Sequence, residues 1–164
     1  MAIFLKFTLM FGKLFNDKPK KEKKRQALTL KPLDYPPKII LAWGEAVSGN
    51  SKIRDWLGQN GYKELNLFCF ALNNVDAPRE WLMKNGFPHL AAMINGGEGN
   101  EDAITWLENQ NLPILAKMAL AIDNDIPAMQ WLINNHRDFA ILAAKMQTVK
   151  NNIEERNGDM HKRG

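Results

Sequence analysis

Four of the five tryptophans in this chain stand twenty-five residues apart, at Trp56, Trp81, Trp106 and Trp131, and a leucine follows each of them. Three equal intervals in succession, without an insertion, mark an internal repeat. A fixed period of roughly 20–50 residues belongs to arrays in which each unit buries its apolar face against the next. Whatever this chain folds into must therefore be built from one supersecondary unit used four times.

The other columns of the repeat say what that unit is. Four residues after each tryptophan come Asn60, Asn85, Gln110 and Asn135, and then Gly61, Gly86, Asn111 and His136. Glycine and asparagine tolerate the left-handed backbone that ends a helix, so this column reads as a helix C-cap. Leu65, Leu90, Leu115 and Ala140 follow in register, then Phe68, Met93, Met118 and Ala143. Small residues recur at Ala46, Ala71, Gly96 and Ala121, where helices that approach closely need them. The unit is two short helices, the first over 51–60, 76–85, 101–110 and 126–135, the second over 62–74, 87–97, 112–123 and 137–153. A half unit precedes them at 36–47, with Pro37, Ile40 and Trp43 in the columns of Tyr62, Leu65 and Phe68.

Proline placement agrees, since Pro37, Pro78, Pro88, Pro113 and Pro127 all fall in first turns, where a missing N–H costs nothing. Asp76 and Asp125 are placed to cap the helices behind them. In each first helix Ile53, Trp56, Leu57, Asn60 and their equivalents share one face, which predicts burial of the tryptophans. The run from Asn95 to Gly99 holds three glycines, at roughly 1 kcal/mol each in a helix interior, and predicts that this second helix stops early. No segment has the period-2 alternation of a strand. The chain is thus predicted to be all-α, an α-solenoid of four 25-residue helix-turn-helix repeats plus an N-terminal half repeat, each unit touching only its neighbours.

The pattern resembles a shortened ankyrin-type array. Phe87-Pro88-His89-Leu90-Ala91-Ala92 is similar to the ankyrin helix opening T-P-L-H-x-A, and Ala103-Ile104-Thr105-Trp106-Leu107 resembles the second ankyrin helix. The ankyrin unit is about 33 residues long, so a 25-residue unit would lack its projecting hairpin. The resemblance implies a protein-binding scaffold.

Charge divides the chain into a basic leader, residues 1–31, the helical domain, residues 32–153, and a polar tail, residues 154–164. The leader carries nine Lys/Arg against two Asp/Glu, and the remainder thirteen against sixteen. In residues 3–15 Phe4, Phe7 and Phe11 lie with other apolar side chains on one side of a helix, and Lys6 and Lys13 share the opposite side. That is the pattern of a helix lying in a membrane interface, too short and too charged to span one. Phe4, Phe7, Phe11 and Lys13 are the predicted membrane contacts, and the basic run to Arg25 would be drawn to anionic headgroups.

No constellation points to catalysis, a cofactor or a metal. His89, His136 and His161 have no metal-ligand spacing, and the lone Cys69 sits in an apolar column. The prediction is a cytoplasmic protein–protein interaction module, not an enzyme, tethered through its leader to an anionic membrane surface. Its partner would contact Glu64, His89 and Lys117, placed by this reading on the face of the second helices turned from the core. A nucleic-acid-binding helical repeat is the alternative, against which stand the seven Lys/Arg and twelve Asp/Glu of residues 44–143.

Overall fold

The computed structural model describes residues 29–162, and among these every regular element is a helix. A half unit, α1 (Pro37–Val47), is followed by four pairs: α2 (Ser51–Gln59) and α3 (Lys63–Leu72), α4 (Asp76–Lys84) and α5 (Pro88–Gly97), α6 (Glu101–Asn109) and α7 (Pro113–Ile122), α8 (Ile126–Asn135) and α9 (Arg137–Lys162). The fold is an all-helical repeat solenoid. α9 runs well past 153 into the polar C-terminal residues.

Two columns of left-handed backbone punctuate the array. Gly61, Gly86 and Asn111 have φ of +92°, +92° and +59°, closing the first helix of a unit. Gly49, Asn74, Gly99 and Asn124 do the same for the second helices, at φ between +65° and +103°. The next N–H then reaches back five residues, as in Tyr62 to the Leu57 carbonyl and Asn100 to that of Asn95, at 2.9 and 3.0 Å, which is the Schellman closure. Asn100 serves twice, since its side chain also accepts from the Ala103 N–H at 3.1 Å and opens α6. Asn50 and Asp125 repeat that double use. Asp76 does not cap α4: it is the first residue of the helix, and Val75 stands at the cap without a side-chain bond.

The leucines, not the tryptophans, form the core of the first helices. Leu57, Leu82, Leu107 and Leu132 are fully buried, whereas Trp106 alone of the four periodic tryptophans is buried and Trp56 is 46% exposed. The indoles of Trp56 and Trp81 stack on Tyr62 and Phe87, just past the turn of their own unit. Asn60, expected inside, is exposed, and its amide donates to the Trp56 carbonyl at 2.8 Å. Trp43, outside the periodic series, is the most deeply buried tryptophan: 1% exposed and edge-on to Phe68 at 5.0 Å.

Two further expectations fail. α5 ends at Gly97, where its expected bounds put it, but no earlier than its counterparts: it spans ten residues, as α3 and α7 do, and all ten are buried. Its glycines are seats for α7, because a Cβ at Gly96 would lie 2.8 Å from Ala119 and one at Gly97 would lie 2.5 Å from Ile122. Close packing against the next inner helix outweighs the helix propensity lost. Nor does each unit touch only its neighbours. The inner helices α1, α3, α5, α7 and α9 pack in succession, and α9 then packs on α1 and also touches α3. Lys145 meets Glu45 across this seam at 2.5 Å, and the Lys145 stem covers Gly44. The curvature of the array brings its ends together, so the inner helices make a closed circuit. The outer helices α2, α4, α6 and α8 each fill the groove between two successive inner ones.

Candidate functional site

Residues 29–36 form a strap. Pro32, Pro36 and Pro37 keep the segment out of a helix and the residues before them extended. The strap crosses the turns where the second helices of the units begin. Lys31 donates its N–H to the Gly86 carbonyl at 2.9 Å and sets its ammonium over the Phe87 ring, 5.3 Å from the centroid. Gly86 suits this crossing twice over: its φ is left-handed, and a Cβ there would meet the Lys31 stem at 2.9 Å. Further along, the Tyr35 hydroxyl donates to Glu64 Oε1 at 2.7 Å, with its ring edge-on to Trp43 and Tyr62. Burial and the Glu64 carboxylate push this phenol far above its ordinary range.

The strap's described residues cross the turns of the first two units. Beside it a cleft of about 440 Å³ opens, walled by Leu30, Leu33 and Tyr35 on one side and by Leu112, Ile114 and Phe139 on the other. Trp43 and His89 line it as well. The walls are apolar, yet Trp43 Nε1 and His89 Nδ1, both buried, have no hydrogen-bond partner among the described residues. His89 stacks on Phe87 and is held neutral: burial lowers its pKa to about 4, against a hydrogen bond with the Lys31 main chain that favours the proton. The cleft itself is walled mainly by apolar side chains, the composition of a binding cleft.

The residues predicted from sequence fare unevenly. Glu64 and His89 do share this edge of the molecule, but they do not face away from the core; they are 8% and 2% exposed, covered by the strap and bonded to it. The strap was placed with the leader and the unit boundary, so its cover could not be foreseen. Lys117 is half-buried on α7 and does not line the cleft. The membrane-contact residues Phe4, Phe7, Phe11 and Lys13 lie outside the described residues. Sequence reading missed Trp43, Leu112 and Phe139. The available signal was Trp43 itself, the largest side chain in a column otherwise filled by Phe68, Met93, Met118 and Ala143.

Elsewhere the polar groups serve the fold. Arg79, 5% exposed, grips both Glu98 oxygens at 2.8 and 3.0 Å, Asn95 Oδ1, and the Ala71 carbonyl, tying the ends of α3 and α5 together. Lys150 reaches Asp123 at 3.0 Å and joins α9 to the end of α7. The Cys69 thiol donates to the Leu65 carbonyl, and burial pushes its pKa up to about 12. Among the described residues, no group of three His, Cys, Asp or Glu could hold a metal ion, and no helix is long and apolar enough to cross a membrane. The chain matches no protein-family model, no curated protein and no solved structure.

Proposed function

We propose that this protein is a non-catalytic interaction module that binds a polypeptide partner along the edge where the turns of its units line up. One observation carries the reading: the chain's own residues 29–36 already lie there as an extended strand of polypeptide. The strap uses a main-chain hydrogen bond, a cation over an aromatic ring and apolar side chains set into the core. These are the devices by which extended peptides are recognised in general. Beside the strap, Leu112, Ile114 and Phe139 carry the same edge onward with apolar side chains. The ankyrin-like opening of α5 accords with a scaffold. Nucleic acid fits less well, because its phosphates would meet a helical domain with an acidic excess.

A library of displayed random peptides, panned against the full chain, tests the reading. Selected peptides should lose binding to the Leu112→Glu variant and keep it for Ile133→Glu, an exposed position on α8 outside the cleft. Failure to select any peptide sinks the proposal. The leader adds a tether in this reading. Full-length protein should sediment with anionic vesicles at low salt, and a chain starting at residue 29 should not, since basic groups near such a surface are worth about 1 kcal/mol each.

A further inference from the structure

A shift by one repeat sets Arg54 of α2 in the place of Arg79 of α4, since each is the fourth residue of its helix. The partners shift with them. Glu98, which holds Arg79 through both oxygens at 2.8 and 3.0 Å, has Asn73 as its counterpart, and both are the C-cap of the second helix of their unit. Asn95, whose Oδ1 also accepts from Arg79, has Phe70. The first unit thus has the guanidinium without the carboxylate that answers it in the second. Asp123, next in the column after Glu98, shows the converse: its own unit has Ile104 where Arg79 would stand, and the buried Lys150 of α9 reaches it at 3.0 Å. Each carboxylate of this column has a buried cation, and Arg54 is a cation of the same set facing an amide.

The space beside Arg54 is open. A cavity of about 350 Å³ is bounded by Arg54, Val47, Phe70 and Asn73, and by Asn152 and Arg156 where α9 closes on α1. None of its lining residues borders the cleft of the turn edge. The Arg54 guanidinium lies over the Phe70 ring, 4.5 Å from the centroid, so the ring fixes one of its faces. Its side chain is nevertheless 26% exposed, against 6% for Arg79. Among the described residues its ion-pair partner is Asp55, its neighbour in the chain, at 3.5 Å. The Asp55 side chain is 58% exposed, and surface pairs of this kind are worth little. Arg156 donates through Nε to the Asn152 carbonyl at 3.1 Å and has no ion-pair partner among the described residues. No Asp or Glu lines the cavity.

We propose that this cavity is a binding site for a carboxylate on a short, uncharged body, taken by Arg54 as Arg79 takes Glu98. Guanidinium and carboxylate then meet through two parallel N–H···O bonds, the geometry already present one unit along. Arg156 adds a second positive charge at the rim, and Val47 and Phe70 leave room for an apolar body. The carboxylate belongs either to a free small acid or to an acidic side chain of another polypeptide; the chemistry at Arg54 is the same.

The test titrates the full chain with butyrate, with butyramide as its uncharged isostere, with methyl phosphate, with chloride at equal ionic strength, and with a blocked alanine–glutamate–alanine tripeptide. The Arg54 Nε–H resonance reports, assigned through Arg54→Lys. Butyrate should shift it saturably, and butyramide should bind at least about tenfold more weakly, the margin of a charge-assisted over a neutral hydrogen bond. Asn73→Glu should supply the carboxylate from within and weaken butyrate about tenfold or more, whereas Asn73→Gln should bind it as the natural chain does. Tighter binding of the tripeptide than of butyrate assigns the site to a polypeptide side chain, and the reverse assigns it to a free acid. The comparison of butyrate with butyramide and chloride needs only the natural chain, so a variant that fails to fold leaves the test intact. The proposal is overturned if chloride reproduces the shift, if butyramide binds as well as butyrate, if methyl phosphate binds more tightly than either carboxylate, or if a folded Asn73→Glu protein binds butyrate undiminished.

Discussion

Replacing Gly97 with alanine sets two effects of known sign against each other. Gly97 closes α5, and alanine in place of a helical glycine favours the helix by up to about 1 kcal/mol. The added methyl, however, would stand 2.5 Å from Ile122 Cγ2 and 3.0 Å from Ile122 Cβ. Ile122 is fully buried and β-branched, so its side chain has little rotamer freedom with which to give way, and α7 itself must retreat. Overpacking of this kind costs roughly 1–3 kcal/mol. We expect Gly97→Ala to destabilise by about 1–2 kcal/mol, read from urea denaturation followed by tryptophan fluorescence. In the Ile122→Ala background the same substitution should cost little, because the obstructing atoms are gone; the double-mutant cycle isolates that contact. Gly158→Ala, where nothing lies within 4 Å, provides the comparison and should be neutral or slightly stabilising. A Gly97→Ala protein that gains the full propensity increment would refute the close seating of α7 on α5.

The tryptophans should separate by burial and not by membership of the repeat. Trp43→Ala is expected to cost about 3–5 kcal/mol and Trp56→Ala about 1 kcal/mol or less, by the same denaturation assay, since only the first empties a closed space. His89 makes the fold acid-sensitive: its pKa falls from 6.5 to about 4 on folding, so the unfolded chain takes up the proton first. Its contribution should be complete above pH 6.5 and decline as pH falls towards 4, by about 3 kcal/mol in all. His89→Phe should flatten that part of the stability–pH curve. Cys69 should resist alkylation in the native protein at pH 8 and react at the rate of unfolding, because the buried thiol is held protonated with a pKa of about 12.

The array was legible in the sequence because its signals are local. Turn residues at fixed offsets and first-turn prolines act within a helix or its cap, and the helix starts fall within a residue or so of the pattern. A second column, Gly49, Asn74, Gly99 and Asn124, was equally open to reading and went unread. Tryptophan burial was misjudged for a different reason. Periodicity locates a face of the helix, but it does not say how far the neighbouring helix extends over that face. Leu57 lies at the centre of the covered strip and Trp56 at its margin, one residue apart. The expectation that α5 would be shorter than its counterparts weighed intrinsic propensity without the tertiary contact that needs a bare backbone. The candidate cleft was least legible of all, since it depends on a strap crossing from one unit to the next and on α1 and α9 meeting. Neither contact leaves a trace in the spacing of residues.

The contact between Glu45 and Lys145 joins residues one hundred positions apart. An open array can lengthen or shorten by whole units, since each new copy meets only what the old one met. Once the ends touch, that freedom is gone. A further 25-residue copy inserted between α7 and α8 would drive α9 away from α1 and expose Trp43, Ala46 and Val47, which are buried at the seam or beside it. The number of copies in this protein is thus fixed by geometry, in the way the number of staves fixes a barrel. Folding, too, cannot finish by local steps alone: it must bring the first helix and the last together over a long loop of chain, a slow kind of closure for a protein otherwise made of near-neighbour contacts.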